Sequence, residues 1–124
     1  FVARGYAGDH EHLKGLMRSA FRHEGFSLVD ILQPCVSLNK VNTWEWYGKR
    51  VYHISDDHDP RDRVKAFARA LEWGDRIPIG VIYKNDRPCF EKRLPVLSEG
   101  PLVDGSGKWR ELKEKLSASL GEFY

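Results

Sequence analysis

The 124-residue sequence lacks several features that would place it in a specialised class of protein. It has two cysteines, Cys35 and Cys89, which are too few for a small secreted domain held together by disulfides. No apolar run approaches the ~20 residues of a membrane-spanning helix. The net charge of +2 is too small to indicate nucleic-acid binding by itself. These absences predict a reduced, cytoplasmic protein that does not bind a membrane.

Short motifs of known chemistry are also missing. No glycine-rich nucleotide-binding motif, P-loop or Cys-x-x-Cys pair occurs in the sequence. His10 and His12 lie two residues apart on an expected helix, so their side chains do not face one another. His53 and His58 lie on either side of an expected break. Neither pair has a zinc-binding spacing, so the histidines are interpreted as surface residues.

The composition and patterning predict one globular α/β chain. Hydrophobic residues make up 41% of the sequence, enough for a packed core. The first thirty residues predict a strand, a helix and a second strand, which is a βαβ unit with parallel strands. Helical spacing predicts a buried stripe on the third helix, formed by Val64, Phe67, Ala68 and Leu71. The expected strands are residues 1–4, 26–33, 51–54, 77–83 and 89–97. Helices are expected to begin after Asp9, Thr43 and Asp59 and near Trp109. Residues 98–107 are expected to form a loop.

Residues 26–39 are the most informative stretch of the chain. They open as a nearly continuous apolar run, which is typical of a strand buried inside a parallel sheet. A proline ends the run, and Cys35 follows it. Ligands of open α/β sheets bind just beyond the carboxyl ends of such strands. Cys35 is therefore a candidate ligand, while a packed, inert cysteine is equally compatible and a nucleophile lacks a nearby histidine.

Residues 40–50 mix aromatic with basic side chains. Such a mixture can stack on single-stranded nucleic acid. Aromatic core anchors with basic side chains lying over them explain it more simply. We therefore expect no nucleic-acid partner.

Three stretches together resemble the β subunit of 2-oxoacid:ferredoxin oxidoreductases, and in particular its C-terminal part. Residues 1–5 resemble the strand that follows the thiamine-diphosphate segment. Residues 23–39 resemble the motif H-x-G-F-x-x-(I/V)-D-(I/V)-L-x-P-C-V-x-x-N, and parts of 58–88 resemble the C-terminal extension. By this resemblance, residues 1–55 form the C-terminal portion of a thiamine-diphosphate-binding domain. The expected fold is therefore a partial parallel sheet with flanking helices, which belongs to the thiamine-diphosphate-binding domain. Residues 56–124 add a small α/β extension to it.

The resemblance implies an activity, cofactors and partners. Enzymes of this family decarboxylate a 2-oxoacid oxidatively on thiamine diphosphate and Mg²⁺, and they form an acyl-CoA. Electrons pass through a [4Fe–4S] cluster to ferredoxin, and the enzyme also contains an α subunit. By position, Cys35 is the fourth cluster ligand and Asn39 lies near the same site. No residue of the chain is assigned a catalytic role.

The resemblance also implies that much of the subunit is missing from this sequence. The other three cluster cysteines and the Gly-Asp-Gly segment that binds thiamine diphosphate are absent, and Phe1 already lies in an expected strand. We therefore expect a fragment that binds no cofactor, is inactive alone and self-associates through an exposed sheet edge. The alternative is a free-standing interaction or assembly module. The resemblance does not select one 2-oxoacid as the substrate, although residues 32–35 resemble 2-oxoglutarate-type subunits slightly more.

Overall fold

A computed structural model describes residues 1–100 and 106–121 of the chain. The chain divides into two compact units, residues 1–87 and 88–124. Within the described residues, no helix is long and apolar enough to cross a membrane. The elements are β1 (Val2–Tyr6), α1 (His10–Arg22), β2 (Leu28–Leu32), α2 (Trp44–Gly48), β3 (Val51–His53), α3 (Arg63–Ala70), β4 (Ile77–Tyr83), two short 3₁₀ helices (Glu91–Arg93 and Pro95–Glu99) and α4 (Ser106–Gly121).

The four strands of the first unit form one open sheet in the order β2-β1-β4-β3. β1 and β2 are parallel, as expected for a βαβ unit, and β3 and β4 form a second parallel pair. β1 and β4 are antiparallel, so the sheet is mixed. The predicted α/β class with flanking helices is confirmed. The predicted domain boundary between residues 55 and 56 stays a prediction. β3 precedes this boundary and β4 follows it, and both strands belong to the same sheet.

Two apolar clusters form the core, one on each face of the sheet. Side chains alternate between the faces of a strand, so Ala3 and Tyr6, three positions apart in β1, belong to different clusters. On one face, Leu16 of α1 packs against Phe1 and Ala3. On the other face, α2 covers the strands with the aromatic side chains that the sequence indicated as core anchors. That second cluster contains Tyr6, Leu32, Ile77 and Ile79, with Trp46, Tyr47 and Val51 packed against it.

Gly80 marks the point where β4 changes the face on which it packs. Ile77 and Ile79 belong to the cluster under α2, but Val81, two residues further on, packs in the cluster under α1. Strict alternation would keep all three on one face. Gly80 has a φ of +141°, a conformation that L side chains rarely adopt. A Cβ at this position would also lie 3.2 Å from the Cβ of Ile54.

The N-cap residues of two helices are those predicted from the sequence, and the N-cap of a third helix is a different residue. Asp9 caps α1 by accepting a hydrogen bond from the backbone N–H of His12, and Thr43 caps α2 in the same way. The predicted cap of α3 at Asp59 is wrong. Asp62 caps this helix, because the Asp59 carboxylate accepts from the N–H of Arg61 in a turn that precedes it.

The predicted burial of β2 is also wrong. β2 lies at the end of the strand order and pairs with β1 alone among the described strands. Leu28 and Ile31 are therefore 49% and 41% exposed, and only Leu32 is buried. A continuous apolar run does not distinguish an inner strand from an edge strand whose partners come from elsewhere. The self-association expected at such an edge stays a prediction.

Two further expectations fail for local reasons. The predicted stripe of α3 is exposed, with Phe67 at 67%, because Ala66 is the residue buried against the sheet. The predicted strand at 89–97 is replaced by the two 3₁₀ helices, the second of which has Pro95 at its start. The predicted C-terminal helix is confirmed as α4. Residues 101–105 of the predicted loop lie outside the described residues.

Candidate functional site

Cys35 lies just beyond the carboxyl end of β2. Its side chain is exposed, and its thiol is free. Since β1 and β2 are parallel, both strands end at this edge of the sheet, and the N–H of Ala7 donates to the carbonyl of Leu32 at 3.0 Å. This bond joins the chain after β1 to the last residue of β2. The predicted placement of Cys35 at the carboxyl edge of a parallel pair is confirmed.

The surroundings of the Cys35 thiol favour the thiolate. Its Sγ lies 3.5 Å from the Oγ of Ser37. The Ser37 hydroxyl lowers the pKa of the Cys35 thiol, and the backbone N–H of Leu38 lowers it further. The thiolate is the form of cysteine that binds metals and reacts with electrophiles. An exposed cysteine with a lowered pKa can therefore act as a metal ligand or a reactive thiol.

Asn39 shapes the loop that carries Cys35. Its Oδ1 accepts hydrogen bonds from the N–H groups of Val41 and Asn42, both at 2.9 Å, and its Nδ2 donates to the side chain of Asn42. The N–H of Asn39 itself donates to the carbonyl of Cys35 at 2.8 Å. The amide of Asn39 is thus engaged within the loop. Its side chain holds the turn that follows Cys35.

The far end of the loop is anchored to the core. The hydroxyl of Tyr6 donates to the carbonyl of Trp44 at 2.9 Å, and the ring of Tyr6 is buried. Within the loop, the ammonium group of Lys40 donates to the carbonyl of Val36 at 2.6 Å. Residues 35–42 are therefore held between β2 and α2, with both ends fixed. A loop supported in this way keeps a ligand in a defined position.

The structure brings the two predicted site residues, Cys35 and Asn39, into one loop. Cys89 belongs to the second compact unit and is half-buried. Sequence reasoning missed Ser37, which lowers the pKa of the Cys35 thiol. A serine two residues after a cysteine in a turn was the available signal, since its hydroxyl can reach back to the thiol. That spacing is too common to be specific.

Comparison with known proteins identifies the family. The model of the family described as the C-terminal region of the pyruvate ferredoxin oxidoreductase beta subunit matches residues 35–99, just over half of the chain. The chain belongs to this family. The matched segment begins at Cys35 and includes Asn39, α2, β3, α3 and β4. The resemblance to β subunits of 2-oxoacid:ferredoxin oxidoreductases is thereby confirmed.

Individual members and a solved structure show the same relationship. A 2-oxoacid:ferredoxin oxidoreductase subunit beta from Sulfolobus sp is 48% identical over 76% of this chain and 35% of its own length. Subunit beta of enzyme 2 from Aeropyrum pernix is 43% identical over 81% of this chain and 36% of its own. The 2-oxoglutarate:ferredoxin oxidoreductase of Magnetococcus marinus, solved with 2-oxoglutarate, coenzyme A and succinyl-CoA bound, has a TM-score of 0.72 and 32% identity. That match covers 90% of this chain and 39% of the other.

The chain thus spans about a third of the length of the β subunits that it matches. The matched part of the family is the C-terminal one, which agrees with the region that the sequence indicated. The fold of this region is common to the chain and the Magnetococcus marinus enzyme.

The contact between Cys35 and Ser37 predicts a reactivity that can be measured on this chain. In a Cys89→Ser background, Ser37→Ala should slow alkylation of Cys35 by iodoacetamide severalfold at neutral pH. Loss of the hydroxyl raises the pKa of the thiol, so less thiolate is present and the midpoint of the pH–rate profile moves to higher pH. Ser19→Ala, which removes a remote hydroxyl, should leave the profile unchanged. An unchanged midpoint in Ser37→Ala would contradict this assignment.

Proposed function

We propose that this chain serves as the C-terminal part of a 2-oxoacid:ferredoxin oxidoreductase β subunit. The complete enzyme would decarboxylate a 2-oxoacid oxidatively, form an acyl-CoA and reduce ferredoxin. The observation that carries the proposal is the family match over residues 35–99, which begins at an exposed thiol with a lowered pKa. The chain contributes one ligand and its rigid support, and it is inactive alone.

Cys35 is proposed as one thiolate ligand of a [4Fe–4S] cluster. Such a cluster takes four thiolates, and this sequence has two cysteines, so further ligands would come from the rest of the β polypeptide. The residues present fit this role. The thiol is exposed and free, its pKa is lowered, and its loop is fixed at both ends. When bound, a cluster of this kind supplies one-electron transfer.

The chain's own residues would hold and tune this ligand. Ser37 and the N–H of Leu38 favour the thiolate of Cys35, and hydrogen bonds to ligand sulfur are among the groups that set a cluster's potential. Asn39 is proposed as a positioning residue near the site, since its amide holds the turn after Cys35. Thiamine diphosphate and Mg²⁺ would be held by other parts of the enzyme.

Exposed apolar surface supports the proposal that partners cover this chain. Phe67 lies in the last turn of α3, Leu71 and Trp73 follow that helix, and all three side chains are exposed by 56–67%. Large exposed apolar side chains can mark an interaction site when they form one patch. We propose that the remainder of the β subunit or the α subunit packs there, with ferredoxin as the redox partner. The same surface suits the second candidate function, a free-standing interaction or assembly module in the cytoplasm.

The test is the activity of the complete enzyme. The full-length β subunit that contains this sequence, assembled with its α subunit, should reduce ferredoxin only when CoA and a 2-oxoacid are both present. Pyruvate and 2-oxoglutarate should be compared, because the related enzyme from Magnetococcus marinus was solved with 2-oxoglutarate bound. The 124-residue chain alone should show no turnover. An assembled complex that reduces no ferredoxin with any 2-oxoacid would favour the interaction module.

A further inference from the structure

Three potential metal ligands meet on the first unit, and none of them is among the residues that contact Cys35. Asp9 is the N-cap of α1, His12 lies in the first turn of the same helix, and His53 is the last residue of β3. Asp9 and His53 are 44 positions apart in the chain. Each residue offers one ligand atom, and these atoms all lie within 4.8 Å of one another. The fold has thus gathered two imidazoles and a carboxylate.

The contacts within this cluster are close and specific. The Nε2 of His53 lies 2.7 Å from Oδ2 of Asp9. The rings of His12 and His53 stack with their centroids 4.2 Å apart and their planes inclined by 20°. The other carboxylate oxygen of Asp9 accepts the N–H of His12 at 3.2 Å. Asp9 is therefore oriented by the helix cap, with Oδ2 directed towards His53.

His12 has an unused ring nitrogen. Among the described residues, its Nδ1 is a buried nitrogen without a hydrogen-bond partner. Buried polar atoms are nearly always paired, so an orphaned imidazole nitrogen beside a second imidazole and a carboxylate calls for an explanation. A metal ion is one physical answer, because neutral imidazole nitrogens are common metal ligands.

The surroundings shift the pKa values of His12 and Asp9. Burial lowers the pKa of His12, and the neighbouring His53 lowers it further, which favours the neutral imidazole. The hydrogen bond from His53, together with the N–H of His12, lowers the pKa of Asp9, which favours its carboxylate form. Metal ligands must be deprotonated to bind. For His12 and Asp9, both shifts act in the direction that favours metal binding.

We propose that Asp9, His12 and His53 bind a divalent transition-metal ion of the Zn²⁺ class. Two imidazole nitrogens and one carboxylate oxygen are a ligand set for Zn²⁺, with a water molecule completing the coordination. The ion would lie between Nε2 of His53 and Oδ2 of Asp9, which are now 2.7 Å apart. Zn–N and Zn–O bonds are about 2.0–2.2 Å long, so binding would draw the three ligand atoms together and turn the stacked rings until their nitrogens converge on the ion.

The ion would join the N-terminus of α1 to the end of β3. The side chain of His53 is 60% exposed and that of Asp9 34%, which leaves a path for the ion to enter and a position for water. Binding to the folded state alone stabilises a protein in proportion to the logarithm of the metal concentration. The proposal is independent of the family function, because it rests on none of the residues around Cys35.

The test uses the full chain in a Cys35→Ser, Cys89→Ser background, which removes both thiols as competing ligands. Titration calorimetry with ZnCl₂ should show one equivalent bound. His53→Ala and His12→Ala should each raise the Kd for Zn²⁺ at least about tenfold. Asp9→Asn should do the same while keeping α1 capped, since Asn is as good an N-cap as Asp. Circular dichroism of each variant without metal checks that the fold is retained.

His10→Ala is the matched control, because His10 lies in the same turn of α1 and is exposed but does not belong to the cluster. It should leave the Kd within about twofold, well short of the tenfold loss expected for a ligand. A thermal shift on adding Zn²⁺ should be present in His10→Ala and absent in His53→Ala. Zn²⁺ that fails to bind the parent, or that binds His53→Ala with unchanged affinity, would show the three residues to be a structural ion pair and ring stack alone.

Discussion

Replacing Cys35 by Ser in the complete β subunit is expected to lower ferredoxin reduction at least about a hundredfold, through loss of the iron–sulfur cluster. The thiol is exposed at the carboxyl end of β2, and Ser37 holds its pKa below the ordinary value. A serine hydroxyl stays protonated at neutral pH and is a poor ligand for cluster iron. Iron content, the EPR signal of the reduced protein and ferredoxin reduction in the presence of CoA and 2-oxoacid measure the effect.

Cys89→Ser is the matched control for this substitution. Cys89 has the same chemistry but belongs to the second compact unit and lies far from the Cys35 loop in the sequence. Its replacement should leave iron content and ferredoxin reduction near those of the parent. Full iron content in Cys35→Ser, or equal losses of iron in the two variants, would show that Cys35 is not a cluster ligand. The family assignment would still hold.

Ile79→Ala is expected to lower the free energy of unfolding of the chain by about 2–5 kcal/mol. Ile79 lies in β4, an inner strand of the sheet, and is 1% exposed. It packs in the cluster that contains Tyr6 and Leu32. Removing its outer carbons loses apolar burial and leaves a cavity that the surrounding strands cannot close. Urea unfolding followed by circular dichroism measures the loss.

Ile31→Ala makes the same chemical change on β2, where the side chain is 41% exposed. It should cost less than about 1 kcal/mol, because little packing is lost at a surface position. If Ile79→Ala is unfolded in water, Ile79→Val, with an expected cost of about 0.5–1.5 kcal/mol, gives the measurable value. Equal losses in Ile31→Ala and Ile79→Ala would show that the cluster under α2 is not the main core of the sheet.

The candidate site around Cys35 was accessible from sequence because its parts are local. A strand, a proline and a cysteine follow one another, so the position of Cys35 beyond β2 depends only on β2 being a strand. The caps at Asp9 and Thr43 were predictable for the same reason, since a capping side chain bonds to a backbone N–H two or three residues away. The hydrogen bonds by which Asn39 holds the turn are also local. The sequence placed Asn39 near the cluster site but did not indicate this role in the turn.

Features that depend on distant parts of the chain were not accessible. The apolar run of β2 indicated a buried strand, but its exposure is decided by which strands lie beside it. The spacing of Phe67 and Leu71 indicated a buried stripe, but the packing of α3 selected Ala66 as the residue that meets the sheet. Periodicity identifies an apolar face, and it does not state whether this chain or a partner covers that face.

The sequence by itself determined the α/β class, the order of the main elements, the family and the placement of Cys35 at a carboxyl edge. These follow from local hydrogen bonding, periodicity and a contiguous motif. Only the tertiary structure decided the mixed sheet, the change of face at Gly80 and the meeting of Asp9, His12 and His53. Residues so far apart in the chain become neighbours only when α1 and β3 dock on the same sheet, and no spacing rule within either element records that contact.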